Sequence, residues 1–307
     1  MREADRHADA WKLLIGDLRR GDCVPFLGAG VSVKRLPLGG KLAAKWHAKV
    51  ECPLDESASL SSVMQYAATI TYRDPNRLKR EFVEEEGFAN VQPPDPQSDY
   101  PVHSLLAQLD LPLYVTTNYD DFMYLALRQE RGKNPSWALC PWYSDDPEEV
   151  PDSPFHDPHY VPTPSSPLVF HLHGHHSEPR SLVLTDDDYI DFMVRLADDA
   201  SPRSLARAQP LAMLPGPIRL RLRKSPLLFL GYSLSDWNFL VLFRTLMKGL
   251  SHGQRREHVS VQIDPDERIS PERRRFFDQY CADQRIRVLW ESPESFTAHL
   301  RSALEVA

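Results

Sequence analysis

The sequence predicts an α/β fold: a Rossmann-like, mostly parallel sheet with helices on both faces and a small helical subdomain. Two observations support this prediction. Short apolar runs bounded by turn residues alternate with segments of helical periodicity along the chain. Most of the runs are apolar on both faces, which is typical of strands buried in a parallel sheet. A chain of 307 residues can bury a large core, and we interpret residues 1–307 as a single domain.

Six runs have the length and apolar character of strands. They are CVPFL (23–27), LYVTT (113–117), LVFHL (168–172), PLLFL (226–230), HVSVQI (258–263) and IRVLW (286–290). A further run, SLVLT (181–185), is a candidate for a seventh, short strand. Ligands of open α/β sheets bind at the carboxyl ends of the strands, so the residues that follow these runs are the first candidates for a functional site.

Three longer segments separate the predicted strands. Residues 40–110 and 186–225 carry helical periodicity over more length than a simple crossover needs, and we predict helical insertions that pack over one edge of the sheet. Residues 134–167 contain a dense scatter of prolines, which favours an extended loop.

Composition restricts the classes of function. The chain is 26% charged with a formal net charge of −7, so we expect no broad nucleic-acid-binding surface. The N-terminal residues lack the pattern of a signal peptide and no apolar run reaches the length of a membrane span, so we expect a cytoplasmic protein without membrane contact. The four cysteines are scattered without a C-x-x-C pair, which argues against a disulfide framework and a cysteine-based zinc site.

The first predicted strand leads directly into GAGVS, residues 28–32. A strand, a Gly-x-Gly turn and a helix form the pyrophosphate site of dinucleotide-binding folds, where glycine lets backbone N–H groups approach a phosphate. The third glycine of the G-x-G-x-x-G pattern is missing here. Taken alone, the motif fits a nucleotide site and a simple tight turn equally well.

Polar residues follow the second strand in TTNYDDF, residues 116–122. The Asn118 carboxamide both donates and accepts hydrogen bonds, so it suits a ligand amide or a water molecule. Asn118 and Asp120 fit the alternative role of capping the next helix equally well.

The third strand runs into HLHGHH, residues 171–176. Strand alternation places His171 and His173 on one face, and an imidazole at the rim, as predicted for His173, suits general-base chemistry near neutral pH. We interpret His175 and His176 as loop residues. The alternative is a metal site, because the run differs at one position, His175, from the H-x-H-x-D-H motif of metallo-β-lactamase-type hydrolases.

The fourth strand is followed by Gly231 and Ser233. If the predicted strands are parallel, these residues face the same crevice as the GAGVS turn, Asn118 and His173. The convergence of four strand ends favours a ligand site over four unrelated turns.

These four motifs, in this order, resemble the sirtuin family, whose pattern is GAG-x-S, N-x-D, H-G and G-x-S. The matching residues are 28–32, 118–120, 173–174 and 231–233. Two features of deacetylating sirtuins are absent: the four-cysteine zinc ribbon and the acidic-aromatic-arginine segment after the glycine turn. Both departures favour the sirtuin-like domains of bacterial antiphage defence, a branch that cleaves NAD⁺ to nicotinamide and ADP-ribose.

The resemblance implies a role for each matched residue. His173 is the base acting on water or a ribose hydroxyl, Asn118 places water or the ribose, and Asp120 assists near the nicotinamide. Contacts to the pyrophosphate or the adenosine ribose are implied for Gly28, Ala29, Gly30, Ser32, Gly231, Ser233 and Asp264. NAD⁺ is then the substrate, and no zinc is expected.

The same resemblance implies a regulated enzyme, because an unrestrained NADase would kill its own cell. We expect a homo-oligomer controlled by a partner, such as a hexameric DNA-translocase ATPase, an Argonaute-like protein or another phage sensor, with abortive infection through NAD⁺ depletion as the outcome. Two alternatives stay open: a sensor that binds NAD⁺ or ADP-ribose without turnover, and a metallohydrolase that uses the HLHGHH run.

Overall fold

The structure is a computed structural model that describes residues 3–93, 102–146, 150, 153–199, 212–232, 237–247, 256–262 and 271–305. Within these residues, seven strands form one sheet. They are β1 (Val24–Leu27), β2 (Leu113–Thr116), β3 (Ser136–Leu139), β4 (Leu168–His171), β5 (Leu227–Leu230), β6 (His258–Gln262) and β7 (Ile286–Trp290). Their order is β3-β4-β2-β1-β5-β6-β7, and every neighbouring pair is parallel. This sheet confirms the predicted Rossmann-like fold.

Helices connect the strands. They are α1 (Glu3–Arg19), α2 (Gly39–Lys49), α3 (Leu60–Tyr66), α4 (Pro75–Glu86), α5 (Val102–Ala107), α6 (Phe122–Gln129), α7 (Asp186–Asp199), α8 (Gly216–Lys224), α9 (Trp237–Leu246), α10 (Pro271–Asp283) and α11 (Pro293–Glu305). None of these helices combines the length and the apolar character that crossing a membrane requires.

Both faces of the sheet are buried. Helices α7, α8, α9 and α10 contribute to the core on one face, around residues such as Phe26 and Phe170, and α1, α5, α6 and α11 contribute to the core on the other, around Tyr114 and Leu228. A strand with two buried faces is apolar at successive positions. This is why β1, β2, β4 and β5 stand out in the sequence as largely apolar runs.

Strand β1 lies at the switch point of the sheet. It pairs with β2 on one side and with β5 on the other, so the chain builds one half of the sheet before returning to β1 to build the second half. Loops on the two sides of a switch point leave the sheet in opposite directions and open a crevice at the carboxyl ends of the strands. Here the turns that follow β1 and β5 line that crevice.

Helices α2, α3 and α4 of the predicted insertion at residues 40–110 have a core of their own, whereas α5 packs against a face of the sheet. Trp46, Met64 and Phe82, from α2, α3 and α4, are buried together. The same cluster includes Phe122, which follows β2, and Leu182, which follows β4. The insertion therefore rests on segments that leave the carboxyl end of the sheet.

Two sequence expectations are wrong. The segment predicted as an extended loop, 134–167, begins with the edge strand β3, whose four residues lie between Pro135 and Pro141 and pair with β4. The density of prolines hid this strand, although an edge position tolerates them. The run SLVLT, residues 181–185, is no strand, because the N–H groups of Leu184 and Thr185 donate to the Asp188 carboxylate.

A buried ion pair joins the insertion to α7. Lys79 Nζ of α4 is 2.7 Å from Asp188 Oδ1, and both residues are buried. The lysine also lies 5.0 Å from the centre of the Trp142 ring. Burial lowers the pKa of Lys79, and the neighbouring Asp188 carboxylate opposes this shift. The pair therefore fixes the start of α7 against the insertion.

We expect Lys79→Met to lower the free energy of unfolding by about 3–5 kcal/mol, because it leaves the Asp188 carboxylate buried without its cation. The double variant Lys79→Met/Asp188→Asn should recover part of this loss. Arg195→Met is the control, since Arg195 forms an exposed pair with Asp145 and should cost less than about 1 kcal/mol. Urea unfolding followed by circular dichroism measures all three, and similar losses for Lys79→Met and Arg195→Met would contradict the expectation.

Candidate functional site

The turns after β1 and β5 pack backbone against backbone. Gly30 N donates to Gly231 O at 3.0 Å, and Gly28 N donates to Leu230 O at 2.8 Å. A Cβ on Gly30 would lie 2.7 Å from Gly231 Cα, and one on Gly231 would lie 2.6 Å from Val31 N. Gly231 also has a φ of +76°, a conformation that glycine adopts without strain. The glycines are therefore required by the contact between the two turns.

This contact changes the interpretation of the GAGVS motif. The N–H groups of Gly28, Gly30 and Val31 all donate to backbone carbonyls within the two turns. The missing side chains make room for the second turn. The motif therefore shapes the crevice, and its contacts with a phosphate stay a prediction.

Asn118 and Asp120 meet the glycine turn through Ser32. Asn118 Nδ2 donates to Gly28 O at 3.1 Å and to Ser32 Oγ at 3.4 Å. Ser32 Oγ donates to Asp120 Oδ2 at 3.0 Å. The structure thus brings together the motifs that follow β1 and β2, as expected of a shared rim. Ser32 is buried, and its hydroxyl bonds to the side chains of both Asn118 and Asp120, so it links the two motifs.

Asp120 also contacts the start of α6. Its Oδ1 accepts from Phe122 N at 3.1 Å, although the N-cap of this helix is the next residue, Asp121, and not Asp120 as the capping alternative has it. Burial raises the pKa of Asp120 to about 6, while the bonds from Phe122 N and Ser32 act in the opposite direction. The carboxyl group therefore changes its protonation close to neutral pH.

Tyr119, between Asn118 and Asp120, supports the site from the opposite side. The Tyr119 ring packs edge-on against Phe82 and Phe88 in the core of the insertion. Its hydroxyl donates to Val183 O at 2.7 Å. Asn118 and Asp120 of the NYD motif thus contact the glycine turn, whereas Tyr119 packs into the insertion, a division that the sequence pattern does not reveal.

His173 lies in the turn after β4 and is 9% exposed. Its ring meets Tyr189 and Phe192 of α7 at centroid distances of 5.5 and 5.0 Å, nearly perpendicular to both. Burial lowers the pKa of His173 to about 3, so the imidazole is neutral at neutral pH. Among the described residues, none forms a hydrogen bond with either ring nitrogen.

His171 and His173 do not share an environment, contrary to the prediction from strand alternation. Strand β4 ends at His171, and the turn that follows reorients the chain. The His171 ring is buried 6.0 Å from Trp137, and its Nδ1 is 3.3 Å from Asn118 O. His173, in contrast, packs against α7. His171 therefore supports the backbone of Asn118 from below the rim.

His175 and His176 lie in the turn after β4, as expected for loop residues, but His175 is buried. Its ring is 5.0 Å from Trp137, 4.7 Å from His171 and 4.1 Å from His176. Burial lowers the pKa of His175 to about 2. Trp137 lies on the edge strand β3. Because the sequence predicts a loop at this position, it does not predict the packing of His175 on Trp137.

The ring contacts also bear on the metal alternative. Within the described part of the chain, no three His, Cys, Asp or Glu side chains are arranged to hold a metal ion. His171 and His175 pack against Trp137, and His176 packs against His175. His173 packs instead against α7. Ser233 and Asp264, the remaining predicted contacts, lie outside the described residues.

An all-parallel sheet with two interlocked turns at its switch point and an amide on the neighbouring rim defines a Rossmann-like α/β protein with a candidate ligand crevice. The SIR2-like domain family matches residues 112–288, more than half of the chain. The chain therefore belongs to the SIR2-like family, which confirms the resemblance to sirtuins.

A curated relative supplies a second comparison. The chain is 25% identical over 248 residues to the protein described as NAD(+) hydrolase ThsA from Acinetobacter baumannii (strain 532279). The aligned region spans 80% of this chain and 43% of that protein, so the chain covers less than half of the relative's length.

We expect Gly231→Ala to be more destabilising than Gly132→Ala. Both glycines have positive φ, at +76° and +81°, and alanine should cost about 1–2 kcal/mol at either position through this conformation. A Cβ at Gly132 meets nothing within 4 Å, whereas at Gly231 it meets three backbone atoms within 3 Å. Gly231→Ala should therefore cost at least about 1 kcal/mol more in urea unfolding. Equal losses would show that the two turns are not tightly interlocked.

Acid should destabilise the fold below about pH 6.5. The pKa values of four buried histidines are lowered to about 4 or less: His103, His171, His173 and His175. Each takes up its proton in the unfolded chain first, so each removes about 1.4 kcal/mol per pH unit as the pH falls below 6.5. Asp120 has the opposite effect, because its pKa of about 6 in the folded protein lies above the unfolded value. As the pH falls below about 6, the folded state binds this proton first, which offsets the loss from one histidine.

Urea unfolding at several pH values between 7.5 and 5 measures the slope. His103→Gln should reduce it by about 1.4 kcal/mol per pH unit, the contribution of one histidine. An unchanged slope in this variant would contradict the assignment of His103 as a neutral buried group.

Proposed function

We propose that the protein is an NAD⁺ glycohydrolase that cleaves NAD⁺ to nicotinamide and ADP-ribose. The observation that carries the proposal is the hydrogen-bonded group of Asn118, Ser32 and Gly28 O at the switch point of a SIR2-like fold. The 25% identity to a protein described as an NAD(+) hydrolase supports the reaction class.

The reaction places modest demands on the protein. The bond between ribose C1′ and the nicotinamide nitrogen breaks, and its electron pair neutralises the pyridinium. A water oxygen forms the new bond to C1′, and a proton of that water is released. Unlike the oxygen leaving group of an ordinary glycoside, this leaving group needs no proton. The protein must hold the dinucleotide, place the water and receive one proton.

Asn118 is suited to place the water or a ribose hydroxyl. Its amide nitrogen is held by Gly28 O and Ser32 Oγ, and these two contacts fix the orientation of the whole carboxamide. No described residue donates to its Oδ1. The amide oxygen is therefore an oriented acceptor at the carboxyl rim.

His173 is the proposed proton acceptor. Because its pKa is lowered to about 3, it is neutral at neutral pH and carries a lone pair on one ring nitrogen. Tyr189 and Phe192 cover the ring on the side of α7. The proposed base thus acts beside two aromatic rings, at a position that is only 9% exposed.

We further propose a role in antiphage defence, in the cytoplasm, in which triggered NAD⁺ depletion aborts infection. The proposal includes a homo-oligomer and a regulatory partner of the kinds named above, such as a hexameric DNA-translocase ATPase or another phage sensor. Its support is the sirtuin-like motif set without a zinc ribbon and the likeness to one NAD(+) hydrolase. Co-expression with the neighbouring gene product, followed by NAD⁺ measurement in infected cells, tests it.

We expect Asn118→Ala and His173→Ala each to reduce NAD⁺ cleavage at least about 100-fold, because one removes the oriented acceptor and the other the base. Chromatography of NAD⁺, nicotinamide and ADP-ribose, on protein co-expressed with its partner, measures the effect. Asn76→Ala and His159→Ala, both at exposed positions, are the matched controls and should retain full activity.

Several outcomes would overturn the proposal. Silent Asn118 and His173 variants would remove the catalytic assignment. Tight binding of NAD⁺ that stays intact, even with the partner present, would establish a sensor. Stoichiometric zinc lost together with activity on treatment with a chelator would favour the metallohydrolase.

A further inference from the structure

Tyr232 extends from the end of β5 across the carboxyl end of β1. Its ring carbons Cε1 and Cε2 lie 3.0 Å from the place that a Cβ on Gly28 would occupy. On one side the ring packs against Phe26 and Phe229, at centroid distances of 5.9 and 6.4 Å. The side chain therefore lies along the floor of the switch-point crevice, against the first glycine of the GAGVS turn.

The Tyr232 hydroxyl reaches the junction of β1 and β2. It donates to Leu27 O at 2.9 Å and lies 2.8 Å from Thr117 Oγ1. Leu27 O also accepts from Thr117 N at 3.0 Å, which continues the ladder between the two strands by one step. The hydroxyls of Thr116 and Thr117 also donate to Leu27 O, at 3.3 and 3.5 Å. The Tyr232 hydroxyl therefore adds the turn after β5 to a junction that already joins the ends of β1 and β2.

The backbone of Tyr232 is held as well. Gln262 Nε2, at the end of β6, donates to Tyr232 O at 3.0 Å. Gln262, Tyr232, Leu27 and Thr117 therefore form a hydrogen-bonded strap across the ends of β6, β5, β1 and β2. Three of its members adjoin candidate site residues, because Tyr232 follows Gly231, Leu27 precedes Gly28 and Thr117 precedes Asn118.

We propose that Tyr232 is a positioning residue for dinucleotide binding, whose hydroxyl holds the glycine turn after β1 in register with Asn118. The strap has no reacting group, so it acts through the residues that it aligns. Because it fixes the floor of the crevice, its loss weakens the ground state and the transition state equally. The inference rests on the proposed function for the identity of the ligand.

Tyr232→Phe tests the proposal, since it keeps the ring and removes the hydroxyl. The Kd for ADP-ribose, measured by calorimetry, and the KM for NAD⁺ should each rise about 3- to 10-fold, the effect of one hydrogen bond. The kcat should stay within about two-fold of wild type. Tyr114→Phe is the matched control: the Tyr114 hydroxyl is buried and donates to Leu106 O at 2.8 Å, so its loss should affect stability and leave binding unchanged.

Thr117→Val removes the second hydroxyl of the strap. It should raise the Kd for ADP-ribose in the same direction, and the double variant should bind no more than about two-fold more weakly than Tyr232→Phe, because the two hydroxyls act together. Full additivity would indicate two independent effects and would overturn the strap.

An unchanged Kd in Tyr232→Phe, an equal rise in Tyr114→Phe, or a fall in kcat at constant KM would each overturn the positioning role. Binding of ADP-ribose by wild type without cleavage of NAD⁺ would reject the glycohydrolase but still allow the Kd comparison to decide the role of Tyr232. Absence of ADP-ribose binding by wild type would overturn both.

Discussion

The backbone contact between the turns after β1 and β5 constrains the rest of the site. Gly231 has no room for a side chain because Val31 N, Gly28 O and Gly30 N surround it. The contact fixes how far the glycine turn rises above the sheet, and hence where the Gly28 carbonyl meets Asn118. A switch point offers a crevice in any open α/β sheet. Here its floor is backbone packed on backbone, with Tyr232 laid across it.

The helical insertion is part of the support for the site. Tyr119, between the two polar residues of the NYD motif, packs into the core of the insertion and bonds Val183 O. Val183 N in turn donates to the carbonyl of His173. The Lys79–Asp188 pair holds the start of α7, which carries the aromatic rings around His173. Asn118 and His173 are therefore connected through Tyr119 and the backbone of Val183 as well as through the sheet.

The fold was predictable from the sequence where burial alone decides the structure. Strands β1, β2, β4 and β5 are buried at every position and nearly all their residues are apolar, so the sequence reveals them. The rule for parallel strand ends brought Asn118 together with the glycine turn. Edge strand β3 was not predicted because its four residues lie between prolines. The surroundings of His173 were not predicted because β4 ends at His171, and the periodicity of a strand does not show at which residue the strand ends. Lys79 and Asp188 are 109 residues apart, and only the packed fold reveals that they pair.

The burial of His173 has two opposite consequences for the proposed chemistry. A protonated imidazole would repel the positive charge that develops on the ribose as nicotinamide leaves, and the lowered pKa keeps the ring neutral. The same lowered pKa makes the ring a weak base, since the driving force for proton transfer falls with the pKa of the acceptor. A water molecule that bonds to an oxocarbenium-like carbon becomes acidic as the new bond forms, so a weak base is sufficient late in the step. A buried imidazole packed against two aromatic rings is therefore compatible with N-glycosidic cleavage, in which the leaving group needs no acid.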